Sequence, residues 1–367
     1  MRNLFIVLLA LCLSQNALWS QKKGSGASQV VLASQDGDAL HNGMLYALPK
    51  TIIRVKVDAY LIVQKAGPFY RFSQKYFNMV DVVKEDASFW QIAAVSLQPV
   101  GQPDDSQIYK IVTDGYGSAP LLNLTVNGIL AGINMDSPAE CPVTPVNVLN
   151  HAIPQVNFDD VPMGEEVMTK TSSAAMAEEA AMAIFRLRKK RVDLLGGESS
   201  RPASDGAALQ ASLEELNRLE AAYLSLFKGA EKRVRVTRYY DFVADQASPA
   251  NNVLFRFSAQ NGFVDRMDVS GTPVYVDVNR LESRLLNELP TGAKRQQEVN
   301  GLRYVLPGKV MVKLVDRNIP LLEQEMLLAQ FGQVATLPVS LLQQSDIQIK
   351  ICPVTGALIQ VSRKGSK

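Results

Sequence analysis

The sequence predicts an α+β protein, with two β-rich lobes separated by an antiparallel helical hairpin. Three observations predict it. The phrase "HNGMLYALPKTIIRVKV" at 41–57 returns as "VNGLRYVLPGKVMVKLV" at 299–315. Both copies sit in stretches where apolar and polar residues alternate, the period of a strand with one wet face. Between them lie two runs of strong helix formers, each closed by glycine.

The elements follow in order. Arg2, the apolar run "LFIVLLALCL" and the polar "SQNALWS" have the charged, apolar, polar order of a secretory signal peptide, residues 1–20. The apolar run is too short to span a bilayer. Cys12 follows Leu11 instead of a small residue, which speaks against lipidation. Residues 21–40 open with "QKKGSGASQ", a Gly/Ser-rich flexible leader.

The N-terminal lobe, 41–170, begins with the first copy of the phrase. Ile53, Val55 and Val57 alternate with polar residues, and Leu48-Pro49 reads as a turn into that strand. "FYRFSQKYFNMVDVV" (69–83) places Phe69, Phe72 and Tyr76 on one side of a short helix. "WQIAAVSLQPV" and "SQIYKIVTDG" read as strands. Asn127-Gly128 turns a hairpin, and the Pro- and Asn-rich 136–164 is a connector.

Residues 171–231 form the helical hairpin. Ser172 or Ser173 caps the first helix and Gly196-Gly197 ends it. The second helix carries Leu209, Leu213, Leu216, Tyr223 and Phe227 at helical spacing and stops at Gly229. The C-terminal lobe, 232–367, resumes strands, with a turn at Asn261-Gly262 and a helix-like "RLESRLLNEL". After the second copy, "PLLEQEMLLAQFG" reads as a helical segment, and a last hairpin turns at Thr355-Gly356.

Aligning Asn42 with Asn300 sets Tyr46 on Tyr304 and Leu48-Pro49 on Leu306-Pro307. Turn, aromatic and proline keep register together, so the phrase marks a duplicated domain, not a solenoid. The blocks "LYALPKT", "SAPLLNLTVNGILAGIN", "AIFRLRKKRVDLLGGE", "LEELNRLEAAYLSLF", "GTPVYVDV" and "YVLPGK" together make the chain resemble domain-of-unknown-function family 4831, exported proteins of Bacteroidetes envelopes. The resemblance runs from about Tyr46 to Leu358. It implies an envelope protein with a β–helix–β plan and carries no catalytic residue to transfer. A place in a secretion or gliding assembly fits that organism group.

Chemistry is sparse. The chain holds 38 Lys and Arg against 36 Asp and Glu, a net charge of +2, which carries no strong message about nucleic acid. Its two histidines, His41 and His151, read as surface residues outside any metal or triad motif. Cys141 lies near His151 but is followed by Pro142 and lacks the glycine-rich setting of cysteine hydrolases. Asp104-Asp105, Asp159-Asp160 and Glu165-Glu166 are adjacent pairs, whereas a glycosidase needs its carboxyls across a cleft. No phosphate loop occurs. The reading is therefore no enzyme, with no catalytic, cofactor-binding or metal residues.

Two features remain as site candidates. Cys141 and Cys352 are a candidate disulfide in an oxidising compartment, the alternative being two buried free thiols. Arg186, Arg188, Lys189, Lys190 and Arg191 form a candidate patch for an anionic partner, the alternative being a solvated face near a helix C-terminus. Tyr239-Tyr240, Phe255 and Phe257 sit at strand spacing and read as core before sugar-stacking residues. The resulting expectation is an exported, non-enzymatic envelope scaffold or adaptor, in the periplasm or at the periplasmic face of the outer membrane. Its partners would be other envelope proteins, with no nucleic acid and no transmembrane span in the mature chain. A carbohydrate- or cell-wall-binding protein is the alternative, and a hydrolase with an inter-lobe carboxylate site a more distant one.

Overall fold

The computed structural model describes residues 29–33, 43–112, 121–135, 145, 147, 151–196, 206–247, 250–281, 300–342 and 344–364. The fold is α+β and mostly strand. Strand β2 (Met44–Lys65) and β3 (Ala87–Val112) form a long hairpin, flanked by β1 (Gln29–Leu32) on β3 and β6 (Ala230–Phe242) on β2. Alternation works as read. Ile53, Val55 and Val57 are fully buried, while Lys56 and Tyr60 point to the other side.

A second sheet packs against those buried residues. It has the order β11-β10-β9-β7-β8, from β7 (Asn252–Ser258), β8 (Gly262–Val264), β9 (Thr272–Arg280), β10 (Gly301–Asp316) and β11 (Ile319–Pro338). Val274, Val276, Val278, Val310, Val312 and Leu314 meet Ile53, Val55 and Val57 in one core. Burying each such side chain contributes about 1.5–3 kcal/mol. A third sheet, β13-β12-β5-β4, comes from β4 (Leu122–Leu124), β5 (Leu130–Ile133), β12 (Ile347–Ile351) and β13 (Leu358–Arg363). It closes a second core around Tyr46, Leu48, Ile111, Leu302 and Ile349.

Both cores draw on both halves of the chain. Strand β6 pairs along its whole length with Ile53 to Lys65 of β2, and β5 pairs with β12. Two of the three sheets thus combine strands from before and after the helices, whereas the five-stranded sheet comes from Asn252–Pro338 alone. Pairings of such sequence separation leave no local mark, so alternation alone cannot assign a strand to its sheet.

The repeated phrase occupies like positions in two long hairpins. Between Ala47↔Ile108 and Pro49↔Pro103, β2 advances by two residues and β3 by five. Between Leu306↔Gln333 and Gly308↔Leu328, β10 also advances by two and β11 by five. Proline lacks a ladder donor, and the returning strand bulges beside it, opposite Leu48 in one hairpin and Pro307 in the other. Leu48-Pro49 is thus no turn before the strand, as the sequence suggested, but a break inside one. The bulge of β11 is apolar and buried at Ala329 and Phe331. That of β3 is polar, with Asp104 accepting from Ser106.

Three further expectations change. "PLLEQEMLLAQFG" is strand β11, because pairing with β10 overrides its helix-forming residues. The helix expected at 69–83 shrinks to a 3-10 turn at Tyr70–Phe72 and α1, Ser73–Phe77. "WQIAAVSLQPV" and "SQIYKIV" are one strand, β3. The helix-like "RLESRLLNEL" lies largely outside the described residues.

The chain also has helices α2 (Glu165–Met168), α3 (Ser173–Leu195) and α4 (Gly206–Lys228) and a single turn at Val339–Leu342. Ser172 Oγ accepts from the Ala175 N–H, which caps α3. Gly229, at φ +85°, ends α4 and leads straight into β6. The last carbonyls of α4 are met from the β2–β3 connection: Phe69 N–H donates to the Leu226 carbonyl and Val83 N–H to that of Lys228, each at 2.9 Å.

Candidate functional site

Helices α3 and α4 pack on each other and share a third core with Phe69, Val161 and Val167. Ala177, Ala180, Ala181 and Ile184 supply the small, flat face of α3. Tyr223, Leu226 and Phe227 supply that of α4. Tyr223 Oη donates to the Pro162 carbonyl at 2.6 Å and accepts from the Gly164 N–H, pinning the connector to α4. Away from this core Leu209, Leu213 and Leu216 are only half-buried.

The basic run divides by helical spacing. Arg188 and Arg191 point across to α4, where both bond the nearly buried Glu220 at 2.7 Å. Arg191 also donates to Asn217, and Arg188 lies over the Phe77 ring. Arg186 bonds Glu166 on α2 and Glu179 on its own helix. These bonds hold the Glu166 carboxyl below its ordinary range, the Arg186 hydrogen bond being the main cause. Three of the five cations thus join structural elements. Lys189 and Lys190 are exposed and make no ion pair among the described residues.

Between the helices runs a groove of about 500 Å³. Ala183, Leu187, Leu219 and Tyr223 give it apolar lining, and Arg186, Lys189, Lys190 and Asp193 its charged lining. Helical spacing explains the lining, since Ala183, Leu187 and Lys190 fall on one side of α3. The outer surface of α3 is apolar too: Met182 is 52% exposed, Phe185 43% and Val192 65%. A surface helix ordinarily turns polar residues outward. Sequence reading missed this stripe, although its three- and four-residue spacing was visible.

The other candidates fall elsewhere. Cys352 is a half-buried free thiol, and its proposed partner Cys141 lies outside the described residues, as does His41. His151 is half-buried, not a surface residue: its ring stands perpendicular to that of Trp90 with centroids 4.7 Å apart, and its Nδ1 is buried with no hydrogen-bond partner among the described residues. Tyr240 and Phe255 stack at 4.7 Å against the first core, and Phe257 is buried within it. They pack the sandwich and offer no face to a sugar.

Charged side chains on the other face of the first sheet are also engaged, Arg54 and Asp58 both being buried there. Arg54 forms a two-pronged pair with Asp241. Burial works to raise the Asp58 carboxyl, but Arg235, Thr237 and Lys56 outweigh it and hold the group below its ordinary value. Among the described residues no three His, Cys, Asp or Glu side chains cluster as a metal site, and no helix is long and apolar enough to cross a membrane. Nothing positive in these residues points to catalysis.

No curated protein and no solved structure matches the chain. A family model, described as a domain of unknown function (DUF4831), matches residues 42–359, and the chain belongs to that family.

Proposed function

We propose that the chain is an exported, non-enzymatic protein of the cell envelope that holds other envelope proteins together. It would stand in the periplasm or at the periplasmic face of the outer membrane, and the paired helices α3 and α4 would be its contact arm. One observation carries the reading: the groove between these helices leaves apolar side chains open among Arg186, Lys189, Lys190 and Asp193, three cations and one carboxylate. Apolar surface rimmed by polar groups is the usual make-up of a protein-binding patch. The signal-peptide order of residues 1–20 supports export.

The same reading takes hairpins β2–β3 and β10–β11 as copies of one unit, with α3 and α4 as the helical hairpin inserted between them. The matching two-against-five break at each Leu-Pro supports this.

Affinity purification from detergent-solubilised envelopes tests the function. The expected result is a stoichiometric partner retained by the wild-type protein and lost with Lys190→Glu, which alters the charged lining without touching a core residue. Recovery of the protein alone, together with capture on cell-wall glycan, would replace this reading with a carbohydrate-binding one.

A further inference from the structure

The outward stripe of α3 has a property that the groove lacks. Ala175, Glu178, Met182, Phe185, Lys189 and Val192 follow one another at steps of three, four, three, four and three. That is the spacing of a coiled-coil seam. Glu178, Met182, Phe185, Lys189 and Val192 are all exposed, and Ala175 is half-buried. The other acidic side chain at this point, Glu179, is taken up by Arg186, and Arg188 and Arg191 by Glu220. Glu178 and Lys189 have no ion-pair or hydrogen-bond partner among the described residues.

The stripe is complementary to itself when reversed. A two-fold axis between residues 183 and 184 sets Met182 against the second copy's Phe185, Glu178 against its Lys189, and Ala175 against its Val192. Every contact occurs twice, as an isologous interface requires. The parallel arrangement fails, because it brings Glu178 onto Glu178 and Lys189 onto Lys189. We propose that α3 is a homodimerisation helix, packing antiparallel against α3 of a second copy about this axis.

The scaffold suits the task. The opposite face of α3 is locked by Ala177, Ala180 and Ile184, all fully buried, and Phe185 already rests on Phe77 at 5.7 Å. The helix therefore loses little freedom on pairing. The seam is about 26 Å long at 1.5 Å per residue, which makes the dimer concentration-dependent instead of permanent. The two ion pairs set direction and register more than strength.

Charge reversal tests the arrangement on the purified mature chain by sedimentation velocity over a concentration series. Wild type dimerises. Glu178→Lys and Lys189→Glu each place like charges together twice and weaken the dimer by about tenfold or more. The double variant Glu178→Lys/Lys189→Glu restores it. An equimolar mixture of the two single variants forms a mixed dimer more readily than either alone, since both contacts become attractive. A monomer throughout the series would overturn the proposal. So would a dimer indifferent to both reversals, or one that neither the double variant nor the mixture restores. Lys189 also lines the groove, whereas Glu178 does not, so loss of self-association with Glu178→Lys alone distinguishes this reading from that of a partner in the groove.

Discussion

The phenol oxygen of Tyr46 accepts a hydrogen bond from the backbone N–H of Arg303 at 3.0 Å. One copy of the repeated phrase is thereby tied to the other through a ring that is 1% exposed and stacked on Tyr109. Tyr46→Phe keeps the ring and leaves the Arg303 N–H without its acceptor, a loss of about 1–2 kcal/mol. Urea unfolding should show a lower midpoint with an unchanged slope, the sign of a stability change in an intact fold.

Tyr240 gives the fold an alkaline limit. Burial pushes its phenol from 10.0 up to about 12, against the opposing pull of Arg238. The folded chain thus keeps a proton that the unfolded chain releases. That contribution is fully present below pH 10 and is lost as pH rises through about 12. Denaturation midpoints at pH 8, 10 and 11 should fall more steeply for wild type than for Tyr240→Phe.

Gly356 stands where both copies of the phrase meet the last hairpin. Its φ is +70°, its carbonyl accepts from the Val305 N–H, and an added Cβ would lie 2.7 Å from Val305 and 3.2 Å from Pro49. Gly356→Ala combines left-handed strain with overpacking and should cost at least about 2 kcal/mol. Thermal unfolding measures it directly, and Thr355→Ser, which keeps the hydroxyl, should leave the midpoint nearly unchanged.

Glu220 is the hinge-pin of the helix pair. Glu220→Ala strips Arg188 and Arg191 of their common acceptor. Because those side chains are 40% and 35% exposed, water takes over part of the loss, and the cost is about 1–2 kcal/mol, below that of a fully buried pair. Amide hydrogen exchange should quicken in α3 and α4 while the strands of the first core keep their protection.

Local signals in the sequence were faithful where the backbone decides alone. Ser172 caps, Gly229 stops a helix, and Gly128, Gly262 and Gly356 turn at positive φ. The alternation at Ile53 to Val57 gave a strand with the right buried face. Sequence failed where a distant partner decides. Leu, Glu, Gln and Met in "PLLEQEM" favour a helix until β10 lies alongside them. The pairing of β2 with β6 has no local trace.

The candidate site was legible in the same uneven way. The basic run was visible, but its division was not, because Glu220 and Glu166 must be brought to it by folding. On α3 two apolar stripes compete, Ala177–Ala180–Ile184 and Met182–Phe185–Val192, and periodicity alone does not say which turns inward. Packing against Phe227 and Val167 decides.

The junction of α4 with β6 has a mechanical meaning. The helix passes into the strand through Gly229 alone, and the β2–β3 connection grips its last carbonyls at Leu226 and Lys228. There is no swivel at the root of the arm. A load pulling on the far end of α4 would therefore reach β6 and, through its ladder, the middle of the sandwich at β2, as through a stiff lever and not a tether.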